Sequence, residues 1–449
     1  MIKKLLIMQL DSTYFLEETF RVLERYQHSL KNFEITVLAA PAALKDCNEN
    51  WTPLCKGVTD NIDEVLSIDF DLSFNLSLEE KSWEIYDKVQ SRNKLGFLQK
   101  DNQLFVPDLW STFLLTIKSG IPFLTFHLQD IYRNILGLKN VAYTTQSYEP
   151  IKELILGSFN ENFLVPNEKD KFTWQFKLLH PHIGIRHVAD VDLISDLSHS
   201  LYVGPATMEA IRLGESGVRC LFFSKNFNGF NLLPYSGSHY LISTRGYMLE
   251  SSEMLQATSN FISTGKLKSD SKYSNYELEH DPLFGAYLKS LNTSDVNYPV
   301  YQSHVVLWNF LLNLYEINLD ISKCNQEQIE FIQEHKQTLS KLLRLHDYAM
   351  SSVDTIYQES KAQSSRAEII DGHLKNLQEI EVLFNKTAAS NSMLRPVLDY
   401  YRVRKGQNDG TNLSEQIQHS FLAYSEEHHA LSALSELFSM TLRKNEASI

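Results

Sequence analysis

Residues 201–214 read LYVGPATMEAIRLG, and the fold is parsed outward from them. Leu201, Tyr202 and Val203 end a strand, Gly204 and Pro205 turn the chain, and Ala206 is small enough to let a ligand approach the backbone. Thr207 then stands at a helix start, where its hydroxyl and the N–H groups without intrahelical partners face outward. Such a terminus favours phosphate through its donors and its dipole. Glu209 falls in the first turn, where its carboxylate can accept from the two hydroxyls of a ribose. The same residues also fit a plain strand-to-helix turn, with Thr207 as the cap and Glu209 complementing the dipole. Position favours the ligand reading: the turn lies late in an alternating stretch, at the carboxyl end of a strand, where open sheets bind ligands.

Around this turn the chain alternates strands and helices. Expected upstream are a strand at 162–166 (NFLVP), a helix at 174–179, a strand at 184–188 (GIRHV) and a helix at 191–198; a strand follows downstream at 219–223. The N-terminal stretch repeats the pattern. It has a strand at 5–8, a helix at 15–26, a strand at 33–38 (FEITVL), short strands at 65–67 and 72–76, a helix at 80–91, and a strand or turn at 93–97 (NKLGF). Helices at 109–118 and 126–136 complete it. Strands separated by helices of this length imply βαβ units and a mostly parallel sheet. After about residue 300 the apolar spacing turns helical, as in Ile329, Ile332, Leu339, Leu342 and Leu343, and again in Ile370, Leu374, Leu377, Ile380 and Phe384. The expected division is 1–155 and 156–265 as two α/β domains, 266–300 (rich in Ser, Asn and Asp) as a linker, and 301–449 as a helical domain.

At 449 residues with net charge -13, the chain is unsuited to gripping nucleic acid or anionic membrane as its main work, since both need a positive surface; a local basic patch is still compatible with that. No apolar run reaches the length of a membrane span, and the apolar stretch at 5–10 is too short for a signal peptide. Cys47, Cys55, Cys220 and Cys324 are scattered without metal-ligand spacing, so the expected compartment is cytoplasmic. His180 and His182 have no acidic or cysteine partner nearby in sequence, and no metal site is expected. The absence of G-x-S-x-G, P-loop and G-x-G-x-x-G patterns argues against the usual serine hydrolase and the Walker NTPase.

Three further places offer chemistry. Asp11, in QLDSTY at 9–14, follows the first strand and can act as a general base on a hydroxyl, although Asp11, Ser12 or Thr13 can equally cap the next helix. Lys225 and Asn226 follow the strand at 219–223; the lysine can neutralise phosphate and the asparagine can read a base or sugar, or the two belong to a solvated loop. Lys169, Lys171 and Trp174 follow NFLVP, where a lysine can face a diphosphate or simply be exposed.

Two α/β units with a strand–GPxT–helix turn in the second resemble the GT-B glycosyltransferases, and among them the heptosyltransferase-like family. The resemblance is carried by KKLLIMQLDSTYFLEETFRVL at 3–23, by DLSFNLS at 71–77 with NKLGF at 93–97, by VPNEKDKFTW at 165–174, and by VGPATMEAIRLG at 203–214 with LFFSKNFNGFNLLPY at 221–235. It implies an α/β fold of two Rossmann-like domains of GT-B type facing a cleft, with a C-terminal α-helical bundle added. It also implies transfer of a sugar from a nucleotide sugar to a hydroxyl of a surface glycan precursor or protein. In that reading Gly204, Pro205, Ala206, Thr207, Glu209 and Asn226 hold the donor, Lys171 or Lys225 stabilises the leaving diphosphate, and Asp11 is the base. No metal or cofactor is implied, and the helical domain recognises the acceptor, a protein partner or a second copy. The chain departs from the family at the first turn, which lacks Gly-Asp, and at the phosphate turn, where Ala206, Thr207 and Met208 replace Asp-Thr-Gly and Ile211 replaces a histidine. Thr207 to Ala210 instead looks like GT-B enzymes whose glutamate binds the ribose. A non-catalytic scaffold that binds a protein through its helices, and a sugar-nucleotide epimerase of the same shape, are the alternatives.

Overall fold

Leu5, Leu6, Ile7 and Met8 form a continuous apolar run, as a strand buried on both faces requires. In the structure, a computed structural model, Leu5 and Ile7 enter one hydrophobic cluster while Leu6 and Met8 enter another, the two-residue period of a strand. The described residues are 2–45, 55–100, 103–106, 108–118, 127–140, 150–159, 167–191, 197–225, 233–235, 237, 239–244, 247–267, 273–281, 285–291, 326–361, 366–391, 394–406 and 413–446.

The first sheet is built from β1 (Lys3–Gln9), β2 (Phe33–Ala39), β3 (Gly57–Thr59), β4 (Leu72–Asn75) and β5 (Lys94–Gly96), with helices α1 (Thr13–Arg25), α2 (Gln27–Leu30), α3 (Pro41–Lys45), α4 (Ile62–Leu66) and α5 (Glu80–Lys88) between them. All five strands are parallel in the order β3-β2-β1-β4-β5. The chain therefore reverses its direction of winding between β1 and β4. The expected strand at 65–67 is instead the end of α4: Asn61 caps this helix, accepting from the Glu64 N–H, and Val65 packs as its buried residue.

A hairpin of β6 (Leu98–Lys100) and β7 (Gln103–Phe105) leads to α6 (Leu109–Lys118) and α7 (Leu128–Ile135). The second sheet then uses β8 (Glu153–Leu156), β9 (Gly184–His187), β10 (Ser200–Pro205), β11 (Arg219–Ser224), β12 (His239–Ser243), β13 (Ser274–Asp281) and β14 (Gly285–Ser290). Its order is β14-β13-β12-β11-β10-β8-β9, parallel from β9 to β12 and antiparallel beyond. Its winding reverses between β8 and β10. Helices α8 (Glu168–Leu179) and α10 (Ser251–Thr264) cover one face through Phe172, Phe176, Met254 and Phe261; α9 (Met208–Glu215) covers the other through Ala210, Ile211 and Leu213.

Two expected boundaries change. The second sheet starts at Glu153 rather than after residue 155. The expected linker at 266–300 carries β13 and β14, whose Tyr276, Leu278, Ala286 and Leu288 alternate inward among polar neighbours. The expected strand at 162–166 lies outside the described residues.

The C-terminal region is helical where described: α11 (Gln326–Lys361), α12 (Ala367–Ser390), α13 (Arg395–Gly406) and α14 (Leu413–Glu446). One charged or titratable residue from each helix meets in its interior. Glu427 lies 2.8 Å from His346 and 2.8 Å from Lys405, and Lys405 lies 2.5 Å from Glu381. The region's α13 packs against α6, with the Phe113 and Tyr400 rings 5.4 Å apart. No helix among the described residues is long and apolar enough to cross a membrane.

Candidate functional site

At the turn from β10 to α9, the Thr207 hydroxyl accepts from the Ala210 N–H at 3.3 Å. Thr207 is therefore the helix cap, and Glu209 is exposed in the first turn. The Met208 and Glu209 N–H groups open the helix without intrahelical acceptors, so the terminus can still take an anion. Pro205, Ala206 and Thr207 are half-buried and reachable from outside.

Gly204 has a different reason to be glycine than a ligand's approach. Leu156 pairs with Val203, which sets Gly157 level with Gly204. The Tyr202 ring lies across both, and its hydroxyl donates to the Pro205 carbonyl at 2.6 Å. A Cβ on Gly204 would sit 2.5 Å from the Tyr202 oxygen and 2.8 Å from Gly157 Cα, and a Cβ on Gly157 would also collide with that oxygen. The two glycines face each other at the β8–β10 reversal point and leave room for a tyrosine. Tyr202 in turn braces the turn that presents Thr207.

The register Pro205↔Phe223 carries Lys225, just past β11, to the level of Thr207 on the neighbouring strand end. Asn226 lies outside the described residues. Lys171 is in the first turn of α8, on the sheet face opposite α9, and pairs with Glu168 at 3.2 Å. Glu168 also accepts from the Ser251 N–H of α10. The structure thus groups Lys225, but not Lys171, with the turn.

Asp11 sits at the other reversal point, between β1 and β4. Its Oδ1 accepts from the Leu78 N–H at 3.3 Å. Next to it the Ser77 hydroxyl accepts from the Leu10 N–H, and Gln9, fully buried, donates to the Tyr132 hydroxyl at 2.9 Å. Ser12 occupies the N-cap position of α1 without a side-chain cap bond. The carboxylate is thus held by the loop after β4, as an oriented acceptor rather than as a cap.

Helices α1 and α9, which follow these two turns, are linked by polar contacts. Arg212 pairs with Glu17. Gln129 of α7 donates to Glu18 at 2.7 Å and to Glu215 at 3.4 Å. Arg25 stacks 3.8 Å above the Tyr235 ring, and the Tyr235 N–H donates to Glu215 at 2.6 Å. The Glu17–Arg212 pair thus joins α1 to α9 directly, Gln129 bridges Glu18 to Glu215, and Arg25 reaches Tyr235 beyond the end of α9.

Sequence reasoning missed the polar network that makes this contact. Glu17 and Arg21, four apart on a helix, have the spacing of an exposed ion pair, yet both are buried. Burial, reinforced by Glu215 against the opposing Arg21 charge, pushes the Glu18 carboxyl up to about 7. Burial also raises Asp130 to about 6 despite Arg133, and lowers His127 to about 4. Asp130 accepts from the Tyr235 hydroxyl at 3.1 Å and the Ala286 N–H at 2.8 Å, tying α7 to β14. The available signal was the crowding of polar groups into HLQDIYRNI at 127–135, too many for a helix with an ordinary buried stripe.

His180 lies 2.9 Å from the Ser259 hydroxyl, and its ring centroid is 6.4 Å from that of His182. Among the described residues no three His, Cys, Asp or Glu side chains gather as a metal site.

No protein-family model matches the chain, and no curated protein sequence matches it. Among solved structures it is similar to the E. coli heptosyltransferase WaaC with ADP, at 8% identity and a TM-score of 0.37 over 58% of this chain and 98% of that one. It is also similar to the E. coli ADP-heptose lps heptosyltransferase II, at 11% identity and a TM-score of 0.33 over 58% and 99%. Likeness at this level decides neither fold nor activity.

Proposed function

We propose that the chain is a glycosyltransferase that takes a nucleotide sugar at the β10–α9 turn and passes the sugar to a hydroxyl acceptor beside Asp11. The observation that supports this is that Asp11 and Thr207 each follow the carboxyl end of a parallel strand, in the crevice of their sheet. Each crevice is at a winding reversal, the position where open sheets bind ligands.

In this reading the first N–H groups of α9 and the Lys225 ammonium receive the diphosphate. They stabilise the negative charge that grows on it as the sugar–oxygen bond breaks. The Thr207 hydroxyl fixes the first turn, and Glu209 accepts from the ribose hydroxyls. Asp11, oriented by the Leu78 N–H, takes the proton from the attacking acceptor hydroxyl. The acceptor is a glycan precursor or a protein side chain, and the helical region contributes to its recognition. A second reading, a scaffold that binds a protein through its helices, is favoured by the exposed Leu374, Val382, Leu383 and Leu422 of α12 and α14.

Melting the protein with UDP, GDP, ADP, CDP and their sugars separates the two. Binding by one nucleotide series raises the melting temperature by linkage, by roughly 3 kcal/mol of added stability at a hundredfold excess over Kd. Thr207→Val and Glu209→Ala should remove that rise, and Asp11→Asn should keep it while abolishing turnover. No rise with any nucleotide would exclude the transferase and leave the scaffold.

A further inference from the structure

Helix α8 is apolar on two opposite sides. Phe172 and Phe176 turn inward onto the second sheet. Trp174 and Leu178, one turn apart, stand outward at 64% and 62% exposure, and Leu179 follows at 59%. The Glu168 carboxylate accepts from the Ser251 N–H, which brings the start of α10 to the first turn of α8. Just before that start, Tyr247 and Met248 are exposed as well. Among the described residues up to 291, Ile2 is the single exposed large apolar side chain outside this group. Such a grouping of large apolar side chains marks a contact surface. The charges around it balance. Lys171 is paired with Glu168, and exposed Asp170 and Lys177 make no ion pair among the described residues.

We propose that this face pairs with itself, joining two copies of the chain through antiparallel α8 helices about a two-fold axis at Trp174. On an α-helix, Asp170 and Lys177 fall on one flank of Trp174, a turn before it and a turn after it. Lys171 and Leu178 fall on the other flank in the same way. A two-fold axis that reverses the helix direction keeps each flank on its own side. Asp170 then meets the partner's Lys177, and Lys177 meets the partner's Asp170, so the contact carries this ion pair twice. The two Trp174 rings meet at the axis, and Leu178 covers the stem of the partner's Lys171. Leu179, at the C-terminal end of α8, comes to the end where the partner's Tyr247 and Met248 are exposed. A parallel pairing would instead set Lys177 against the partner's Leu178, and Asp170 against a lysine that already holds Glu168. Copies of a chain with net charge -13 repel one another over most of their surface, and a balanced apolar face is where that repulsion is least. These apolar side chains and the doubled ion pair make a contact near the low end of specific interfaces, about 1,200 Å² in total. The dimer should therefore dissociate at roughly micromolar concentration. Helix α8 lies across the second sheet from α9, so pairing leaves the β10–α9 turn open. The proposal does not rest on sugar transfer.

The test is sedimentation velocity of the full chain from about 0.1 to about 100 μM. The wild type should pass from monomer to dimer over that range. Trp174→Ala with Leu178→Ala should raise the dissociation constant by about tenfold or more. Asp170→Lys sets lysine against lysine, and Lys177→Asp sets aspartate against aspartate, so each alone should dimerise about tenfold more weakly. Mixed in equal amounts, these two variants should dimerise again, because every lysine of one then meets an aspartate of the other. The substituted side chains are exposed, so all the variants should melt close to the wild type. A wild type that stays monomeric throughout would overturn the proposal. So would a dimer that these substitutions leave unmoved, or charge variants that fail to dimerise on mixing.

Discussion

Gly204→Ala tests what shapes the candidate turn. The new methyl carbon would sit 2.5 Å from the Tyr202 oxygen and 2.8 Å from Gly157 Cα, whereas carbon contacts settle near about 3.5–4.0 Å. One of these neighbours must move by roughly an ångström. Gly157 is backbone following a paired strand, so the phenol must give way, and its 2.6 Å bond to the Pro205 carbonyl goes with it. Overpacking of this kind costs about 1–3 kcal/mol, and the lost hydrogen bond about 1 kcal/mol more. Tyr202→Leu removes the ring end and costs about 2–4 kcal/mol as a core truncation. In that background the alanine meets only Gly157, so the two substitutions should together cost about 1–2 kcal/mol less than the sum of their separate costs. Urea unfolding of the two single variants and the double variant reads this coupling. Costs that add to within about 0.5 kcal/mol would show that Tyr202 is not what demands glycine at 204.

The Glu18 carboxyl, raised to about 7 from an ordinary 4.5, binds its proton more tightly in the folded chain. The stability it contributes is full below pH 4.5 and is lost as pH rises through 7; Glu18→Gln should flatten the melting-temperature profile over that window, and an unchanged slope would refute the assignment. Asp130, raised to about 6, acts in the same direction, whereas His127, lowered to about 4, contributes stability that is present above pH 6.5 and lost as pH falls through 4. Glu427→Gln leaves Lys405 buried with one carboxylate fewer and should destabilise the helical region by about 3–5 kcal/mol in urea unfolding; a loss below about 1 kcal/mol would show the cluster to be dispensable. Thr207→Val removes the cap of α9 and should cost about 1 kcal/mol even without ligand; no loss would mean that the Ala210 N–H finds another acceptor.

The parts of the fold that the sequence states plainly are those where one pattern dominates. LLIM at 5–8 and RCLFF at 219–223 can only be buried strands, and Thr207 is a cap by residue type and place. The first strand of the second sheet, ELIL at 153–156, was hidden because four residues beginning with a charge are too short to show a period. The β13–β14 hairpin was hidden by its Ser, Asn and Asp content; Ser274, Asn275 and Ser290 are themselves buried beside Tyr276, Leu278, Ala286 and Leu288, so residue type concealed the inward positions. The Val65 to Ser67 stretch looked like a strand because three residues cannot distinguish a period of two from one of 3.6. At the candidate turns, residue types singled out Thr207, Glu209 and Asp11 as candidates, but nothing local could place Tyr202 over Gly204 or bury Glu17, Glu18 and Arg21. Those contacts join residues far apart in sequence: Arg212 meets Glu17 across 195 positions.

The most direct test of a nucleotide site at the β10–α9 turn is hydrogen exchange on the full chain, with and without the nucleoside diphosphate that raises its melting temperature most. Exchange should slow over residues 204–212 and at Lys225, and stay unchanged over 326–446. Protection confined to the helical region, or none at the turn under saturating nucleotide, would contradict the placement of the donor there.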